Sequence, residues 1–300
     1  MRAELGYYLG IDVGGTGTRW VVIDANGDEV TRGRTDGATG LIYDAASLAA
    51  FVGAMETVRE GSPGPLSYVH LGITGAGFNR HAALDEQVKL AFRIGEGAFS
   101  YSNDMVLAWH AAFPNGGGHI VSAGTGSIGL TFKDGERIAV GGRGIMIDDG
   151  GSGTWIGLRA LDRLYRLIDE CGAPKGAEIL ADKLFAAMGG AEWDATRAFV
   201  YGRDRGQIGT LAIAVAEAAH AGDPIAMDMM MRAGQELARL ARALVDRAGP
   251  APIGFVGGVM RLHPSIRAEV ERALPGYDLQ FPTIDAALQA ARIARASAQN

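Results

Sequence analysis

The chain contains very little cysteine: Cys171 is the only one among its 300 residues. A single thiol can form neither an internal disulfide nor a cysteine-rich zinc site, and this usage fits a reducing compartment. The six histidines show none of the spacings that are typical of zinc ligands, such as HExxH. The sequence therefore favours neither a disulfide-stabilised protein nor a zinc protein.

Long hydrophobic runs and blocks of basic residues are also missing. The apolar run that begins at Tyr7 is interrupted by Asp12 and by glycines, which does not fit a secretory leader, and no run of about 18 apolar residues predicts a membrane span. The formal net charge is −6, and no cluster of Lys and Arg is available to neutralise nucleic-acid phosphates. We therefore expect a cytoplasmic protein that binds neither membranes nor nucleic acid.

Two common nucleotide motifs are absent or incomplete. The chain has no GxxxxGK[ST] sequence, so a P-loop is not predicted. Residues 124–129 match GxGxxG, but apolar residues continue after them into the hairpin signal Asp134-Gly135. In a dinucleotide-binding unit these glycines would instead open a helix whose N-terminus faces the pyrophosphate. We therefore expect no NAD site here.

One pattern occurs twice. Residues 9–18 and 120–127 each form an apolar run followed by a turn of Gly with Thr or Ser, then a second apolar run and a hairpin signal, Asn26-Gly27 or Asp134-Gly135. This duplication predicts two copies of a three-stranded unit. Glycine lets a ligand approach exposed N–H groups and hydroxyls add donors, so we predict that both turns bind phosphates; the alternative is a pair of simple tight hairpins.

The order of predicted elements divides the chain into two lobes. After the first three strands we expect a helix at 43–59, strands at 66–73 and 98–102, and a helix at 105–113, an order that indicates a mixed sheet flanked by helices. Pro114 and the glycines after it predict a hinge, so residues 1–114 form the first lobe and 115–300 the second. The second lobe has a strand at 253–256, and we expect its last helix, 283–297, to pack back on the first lobe. Its other predicted helices cover residues 152–170, 175–188, 193–201, 207–221 and 224–248.

Two aspartates at predicted strand ends are candidates for chemistry. Asp12 lies beside the first glycines, where a carboxylate is costly unless it meets a cation or donors, and a magnesium-bound nucleotide supplies both. The alternative is a carboxylate that caps the turn. Asp104 follows the strand 98–102 at the start of a helix, which favours a general base, with a helix N-cap as the alternative.

A third acidic position precedes a long predicted helix. Asp148 and Asp149 are adjacent and are not expected to point the same way. One could cap the helix, and the other could hold a sugar hydroxyl or complete a magnesium shell.

In this order and spacing, the motifs resemble the actin-like superfamily of sugar kinases and heat-shock ATPases. Within it, the chain is most similar to the N-acetylglucosamine and glucosamine kinases, which are grouped with the activator ATPases of benzoyl-CoA reductase and hydroxyacyl-CoA dehydratase as BadF/BadG/BcrA/BcrD-type ATPases. The resemblance rests on residues 10–16, 103–104, 123–127, 140–143, 149–153, 157–159, 222–224 and 255–259.

The resemblance implies a fold and an activity. The fold is α/β, with two ribonuclease H-like (actin-like ATPase) domains built from duplicated βββαβαβα units and an inter-domain cleft. The activity is that of a kinase that uses ATP and Mg²⁺ to phosphorylate the 6-hydroxyl of N-acetylglucosamine or glucosamine. A homodimer is compatible with the sequence, which does not set the oligomeric state.

The resemblance also implies residue roles. Asp12 would hold magnesium through water, and Asp104 would take the proton from the sugar 6-hydroxyl. The implied nucleotide-binding residues are Gly14, Gly15, Thr16, Gly124, Thr125, Gly126, Ser127, Gly257 and Gly258. The implied sugar-binding residues are Thr39, Gly75, Ala76, Asp104, Thr125, Gly126 and Asp149.

Three positions differ from the family pattern and leave the sugar open. Thr39 and Ile128 stand where relatives carry Asn near the sugar, and Gly150 stands where Glu or Gln is common. The sequence therefore does not choose between a free and an N-acetylated amine.

Two other functions are alternatives. An activator ATPase of a dehydratase or reductase would need two cysteines per subunit for its iron–sulfur cluster, and only Cys171 is available. A non-catalytic sugar- or nucleotide-binding regulator would be expected to carry a helix-turn-helix or a cysteine-rich zinc motif, and neither is seen.

Overall fold

The computed structural model of the protein describes residues 6–299. The outermost residues of the two predicted lobes, 1–5 and 300, lie outside the described residues. The chain forms two compact units, one made of the chain up to Gly116 together with the segment from Ile284 onward, and the other of Gly117–Thr283.

Each unit begins with three consecutive strands, and helices and further strands follow. The strands are β1 (Tyr7–Gly14), β2 (Gly17–Ile23), β3 (Glu29–Thr35), β4 (Leu66–Ile73), β5 (Phe99–Asn103), β6 (His119–Ala123), β7 (Ser127–Lys133), β8 (Glu136–Gly141), β9 (Ile253–Val256) and β10 (Leu279–Gln280). The helices are α1 (Ala45–Glu60), α2 (Ala82–Phe92), α3 (Asp104–Ala112), α4 (Gly153–Cys171), α5 (Glu178–Met188), α6 (Trp193–Gly202), α7 (Arg205–Gly209), α8 (Leu211–His220), α9 (Pro224–Ala248), α10 (Pro264–Ala273) and α11 (Ala286–Ser297). No helix in this described part is both long and apolar enough to cross a membrane.

Each unit is built on a five-stranded mixed sheet. The strand orders are β3-β2-β1-β4-β5 and β10-β9-β6-β7-β8. In the first sheet β1, β2 and β3 pair antiparallel, and β4 and β5 then continue parallel to β1. In the second sheet β6, β7 and β8 form the same antiparallel meander, and β9 and β10 continue parallel to β6. The predicted duplication and the predicted α/β fold class are confirmed.

Strand β1 is buried on both faces of the first sheet. Leu9 and Ile11 belong to the core that includes Phe51 of α1, and burial of side chains of this size contributes roughly 1.5–3 kcal/mol each. On the other face, a Cβ atom at Gly10 would lie 2.0 Å from the backbone nitrogen of Ala291. This glycine therefore lets the alanine-rich helix α11 lie directly on β1. Helix α11 packs on β1, β2 and β4 of the first unit.

Some local predictions need correction. Asn26-Gly27 is not a two-residue turn, because the chain between β2 and β3 is a longer loop in which the Asp24 carboxylate accepts the backbone N–H groups of residues 26, 27 and 28. Asp134 and Gly135 do form the predicted tight turn, with φ of +52° and +80°. After residue 126 the chain continues as strand β7, as predicted, and not as a helix. The helix predicted for 207–221 is two helices, α7 and α8, that meet at Thr210.

Candidate active site

The carboxyl ends of β1, β4 and β5 bring two aspartates to one edge of the first sheet. Asp12 on β1 lies opposite Gly72 on β4, which in turn lies opposite Ser102 on β5. Asp104 follows directly after β5. Parallel strands therefore place Asp12 and Asp104 at the edge where ligands commonly bind in α/β sheets.

The carboxylate of Asp12 lies in a strongly acidic environment. Burial raises the pKa of Asp12 to about 6, the Asp104 carboxylate adds to this increase, and Asp285 adds a smaller contribution. Arg19 on β2 opposes the increase in the pKa, and its Nη1 lies 3.9 Å from Asp12 Oδ2. Because burial and two other carboxylates outweigh Arg19, a bound cation would stabilise the ionised form of Asp12.

The residue that caps helix α3 is Asn103 and not Asp104. Asn103 Oδ1 accepts the backbone N–H of Met105 at 2.9 Å, and Asp104 Oδ1 accepts the same N–H at 3.0 Å. Helix α3 is held tightly on β4, because a Cβ atom at Gly72 would lie 2.3 Å from a methyl carbon of Leu107. The cap and this close packing fix the helix start, and thereby the backbone of Asp104.

Three predicted sugar-binding residues meet beside this edge. Thr39 Oγ1 donates to the carbonyl oxygen of Thr74 at 3.2 Å, and the Gly40 N–H donates to the same oxygen at 2.8 Å. Gly75 has a φ of +76°, and a Cβ atom there would lie 2.5 Å from Thr39 Oγ1. Ala76 is buried next to Gly40. The loop after β3 and the loop after β4 are therefore joined at Thr39, Gly75 and Ala76.

The first Gly/Thr turn is open. Gly14 pairs with Gly17 at the end of the β1–β2 hairpin, so Gly15 and Thr16 form its tip, and both are exposed. A Cβ atom at Gly15 would meet no atom within 4 Å. The tip therefore has room for a ligand beside its backbone.

The second Gly/Thr turn is held at the start of helix α4. The Gly153 N–H donates to the carbonyl oxygen of Gly124 at 2.8 Å, and Thr154 Oγ1 donates to the carbonyl oxygen of Thr125 at 2.7 Å. Ser127 is buried, and its Oγ donates to the carbonyl oxygen of Gly150 at 2.7 Å. The backbone of this turn is therefore fixed, and the hydroxyl of Ser127 is already engaged within the protein.

Asp148 and Asp149 point in different directions, as expected, but neither caps α4. The cap is Ser152, whose Oγ accepts the N–H of Trp155 at 3.1 Å. Asp148 Oδ1 accepts the backbone N–H of Arg143 at 2.8 Å. Asp149 turns to the second Gly/Thr turn, where its Oδ1 accepts the N–H of Ser127 at 3.3 Å.

The side chain of Asp149 is almost fully buried, with 2% exposed. Burial raises its pKa, while the Ser127 N–H and the Arg205 guanidinium oppose this increase and Asp148 adds to it. Arg205 Nη1 lies 3.5 Å from Asp149 Oδ2, an oxygen with no hydrogen-bond partner among the described residues. Its backbone is left-handed, with a φ of +67°. A non-glycine residue adopts this conformation only where its surroundings hold it there.

Gly257 and Gly258 follow β9 at the neighbouring strand end. Gly257 has a φ of +103°, and a Cβ atom there would lie 2.2 Å from the carbonyl oxygen of Ala123 on β6. Gly258 is exposed, and a Cβ atom there would meet nothing within 4 Å. The first glycine is required by packing, whereas the second borders open space.

The structure thus groups the predicted residues within each unit. The first unit brings together Asp12, Asp104, Gly14, Gly15, Thr16, Thr39, Gly75 and Ala76, and the second brings together Gly124, Thr125, Gly126, Ser127, Asp149, Gly257 and Gly258.

Sequence reasoning missed the charged neighbours Arg19, Asp285 and Arg205. Arg19 could have been found from the β1–β2 register, which places it opposite Asp12. No sequence signal places Asp285 near Asp12 or Arg205 near Asp149, because both proximities depend on how distant helices pack.

The donor set of the first unit fits a magnesium ion that keeps most of its water. In the described part of the chain, no group of three or more His, Cys, Asp or Glu side chains is placed to enclose a metal. Mg²⁺ usually retains several waters and binds one or two carboxylates together with substrate phosphates. Burial first and the Asp104 carboxylate second raise the pKa of Asp12, and a cation beside it would lower this pKa again.

The paired sheets and their strand-end turns define the actin-like ATPase fold, in which two units of common topology each carry a Gly/Thr turn. The chain belongs to the BadF/BadG/BcrA/BcrD ATPase family, whose model matches residues 9–292. This confirms the resemblance seen in the sequence.

Similar proteins include sugar kinases. Glucosamine kinase GspK of Vibrio cholerae is 30% identical over 163 residues, so the match spans 53% of this chain and only 55% of that protein. A candidate N-acetylglucosamine kinase from Chromobacterium violaceum has a solved structure that matches with a TM-score of 0.74 and 25% identity, over 97% of this chain and 100% of that one. A glucokinase of the ROK family from Streptomyces griseus, solved with glucose and AMPPNP, matches with a TM-score of 0.62 and 19% identity over 97% of this chain and 100% of its own, and shows the shared fold.

Proposed function

We propose that the protein is an ATP-dependent hexosamine kinase that phosphorylates the 6-hydroxyl of glucosamine or N-acetylglucosamine. Family membership and the similarity to GspK and to the Chromobacterium violaceum protein support this class of substrate. The observation that carries the proposal is the pair Asp12 and Asp104 at one sheet edge, beside the open tip at Gly15 and Thr16. The exposed Cys171 fits a reducing compartment, and we propose a cytoplasmic location.

Each Gly/Thr turn is proposed to bind phosphate. Gly15 and Thr16 offer exposed backbone beside open space, and Gly124 has open space where a Cβ atom would lie. Gly258 borders open space at the end of β9 and would lie against the nucleoside. Asp12 would hold Mg²⁺ through water, and the ion would neutralise phosphate charge.

Asp104 would act as the general base. Its carboxylate would take the proton of the sugar 6-hydroxyl while the sugar oxygen forms a bond to the γ-phosphorus and the bond to ADP breaks. After burial, the Asp104 carboxylate is the next cause of the raised pKa of Asp12, so a cation bound at Asp12 would offset the repulsion between the two carboxylates. Most of the rate acceleration would come from positioning and charge neutralisation.

The residues proposed to contact the sugar differ in their surroundings. Thr39, Gly75 and Ala76 lie in the joined loops that follow β3 and β4, and we assign them to the sugar. Asp149 Oδ2 has no hydrogen-bond partner among the described residues, but it is buried and lies 3.5 Å from Arg205 Nη1, so a sugar hydroxyl would reach it when this ion pair opens. These groups suit a polyhydroxylated ligand, and they do not separate a free amine from an acetylated one.

A screen for ADP release tests this proposal. Purified protein with Mg·ATP would be assayed with glucosamine, N-acetylglucosamine, N-acetylmannosamine, N-acetylmuramic acid, glucose and no sugar. We expect sugar-dependent ADP release with glucosamine or N-acetylglucosamine as the best substrate. Release that is independent of sugar would instead favour the activator-type ATPase, and release only with other sugars would contradict the assigned substrate.

A further inference from the structure

Helix α9 lies directly against the loop that carries Asp149. A Cβ atom at Gly150 would lie 2.5 Å from Oε2 of Glu236. The next residue, Gly151, has a φ of +81°, and a Cβ atom there would lie 2.7 Å from the carbonyl oxygen of Ala233. The two glycines therefore let the loop backbone approach the helix more closely than any other residue would allow.

The carboxylate of Glu236 occupies the space that a side chain at residue 150 would fill. It is held from the other side by Arg239, whose Nε donates to Oε2 at 2.8 Å. Glu236, Gly150 and Asp148 also line one cavity of about 410 Å³ in the second unit. The carboxylate is thus fixed between an arginine of its own helix and the backbone of the loop.

Movement of Gly150 would be transmitted to Asp149 and to the second Gly/Thr turn. The carbonyl oxygen of Gly150 accepts the Ser127 hydroxyl, and the Ser127 N–H donates to Asp149 Oδ1. Asp149 also keeps a left-handed backbone that its surroundings must maintain. Loss of a contact on the α9 side would therefore loosen the backbone that aims the Asp149 carboxylate.

We propose that Glu236 is a positioning residue that holds the loop 148–151, and with it Asp149, in place, and that Gly150 is the residue that makes room for it. The inference rests on the proposed function, which assigns Asp149 to the sugar. It adds a residue of helix α9 that lies outside the second Gly/Thr turn. Glu236 acts through the loop and takes no part in proton or phosphoryl transfer.

Two different substitutions remove the same contact. Glu236→Ala deletes the carboxylate, whereas Gly150→Ala displaces it with a methyl group. The displacement should cost little stability, because φ at residue 150 is not left-handed and the displaced atoms are the far end of a flexible side chain. Each variant should raise KM for the sugar by about fivefold or more, since small misplacements of a positioning group have large effects. KM for ATP should also rise, because the loop is hydrogen-bonded to the second Gly/Thr turn, and the double variant should be no worse than the poorer single one.

Glu271→Ala is the matched control. It removes an exposed ion pair between Glu271 and Arg267 on α10, at 2.8 Å, without touching the loop. Its KM for sugar should equal that of the unmodified protein. A normal sugar KM in Glu236→Ala, or effects that multiply in the double variant, would overturn the inference.

Amide hydrogen exchange of residues 143–152 in the ligand-free protein separates this inference from the proposed function, because it needs no turnover. Exchange should be faster in Glu236→Ala and in Gly150→Ala and unchanged in Glu271→Ala. If no sugar is phosphorylated, the proposed function fails and exchange alone decides the positioning role. Unchanged exchange in Glu236→Ala would overturn it.

Discussion

At the scale of single residues, Asp104 is the side chain on which phosphoryl transfer should depend. Asp104→Asn keeps the size of the side chain and the Asn103 cap of α3, so the fold should be retained. We expect kcat to fall by at least about 10²-fold, the usual scale for the loss of a general base, with sugar and ATP still bound. Steady-state kinetics and calorimetric binding would measure this.

Asp44→Asn is the control for that substitution, because Asp44 caps the start of α1 in the same unit. Its kcat should match that of the unmodified protein. Near-normal turnover in Asp104→Asn would refute the assignment of the base.

We expect that Asp12 lowers the stability of the fold near neutral pH and is required for the use of Mg·ATP. Its folded-state pKa of about 6 is above the ordinary value of 3.8, so the stability that this raised pKa contributes is present below about pH 3.8 and is lost as the pH rises through about 6. Asp12→Asn should therefore gain thermal stability relative to the unmodified protein between pH 4 and pH 7, while its use of Mg·ATP falls sharply. Melting curves across this range and KM for Mg·ATP test both effects.

The same substitution at Asp44 should show the opposite trend with pH. Backbone and side-chain hydrogen bonds from Ser47 lower the pKa of Asp44, so its contribution is present above the ordinary pKa of 3.8 and is lost as the pH falls through the lowered value. If Asp12→Asn instead unfolds at neutral pH, the alternative that Asp12 caps the turn gains support.

The sequence indicated which residues to examine better than it indicated their contacts. Asp12 and Asp104 follow from strand ends, because the pattern of apolar runs locates those ends. The capping of α4 by Ser152 and the buried hydroxyl of Ser127 did not follow, because each depends on how the loop 148–151 folds back on the second turn.

At the scale of elements, the two glycines after β9 make a matched pair. Gly257→Ala should destabilise the protein by about 2 kcal/mol or more, because residue 257 is left-handed and a Cβ atom would lie 2.2 Å from the Ala123 carbonyl oxygen. Gly258→Ala should change the stability by no more than about 0.5 kcal/mol, since its Cβ would meet open space. Thermal melting compares the two variants.

KM for ATP is a second measurement that distinguishes Gly257→Ala from Gly258→Ala. If the nucleoside lies against Gly258, Gly258→Ala should raise KM for ATP and leave KM for the sugar unchanged. Equal melting temperatures for the two variants, or an unchanged KM for ATP in Gly258→Ala, would contradict this account of the β9 end.

The bounds of a helix could be predicted most accurately where residues at its ends favour a start or a stop. Helix α9 begins and ends as predicted, because Asp223 caps it, Pro224 opens it and Gly249 ends it. The sequence did not predict bounds for helices α2 and α10. Helix α2 begins after His81 without a side-chain cap, and α10 begins after His263, which is an unusual cap. Caps were not the only signal, because α5 and α6 were predicted although neither has a side-chain cap.

At the scale of the whole molecule, sugar and nucleotide should bind cooperatively. Asp12, the proposed magnesium ligand, and Asp104, the proposed base, lie at one sheet edge of the first unit, so one ligand would order groups that the other also uses. We expect a non-hydrolysable ATP analogue to bind more tightly in the presence of the preferred hexosamine by about 1–3 kcal/mol, with an equal reciprocal effect. Calorimetric titrations measure both, with a sugar that is not phosphorylated as the control, and equal affinities would exclude the coupling.

The fold could be predicted as a whole because it is a duplication. Two similar apolar runs with Gly/Thr turns predicted two similar sheets, and the strand orders confirm this. The particular sugar could not be predicted, because Thr39 and Gly150 are placed by packing against Thr74 and Glu236, which no local pattern reveals.

The identity of the phosphorylated product tests the central claim most directly. The protein would be incubated with Mg·ATP and glucosamine or N-acetylglucosamine, and the products resolved by phosphorus NMR and mass spectrometry. We predict one hexosamine 6-phosphate for each ADP formed, and almost none with Asp104→Asn. ADP accompanied by inorganic phosphate, or a phosphate at any position other than the 6-hydroxyl, would contradict the assignment.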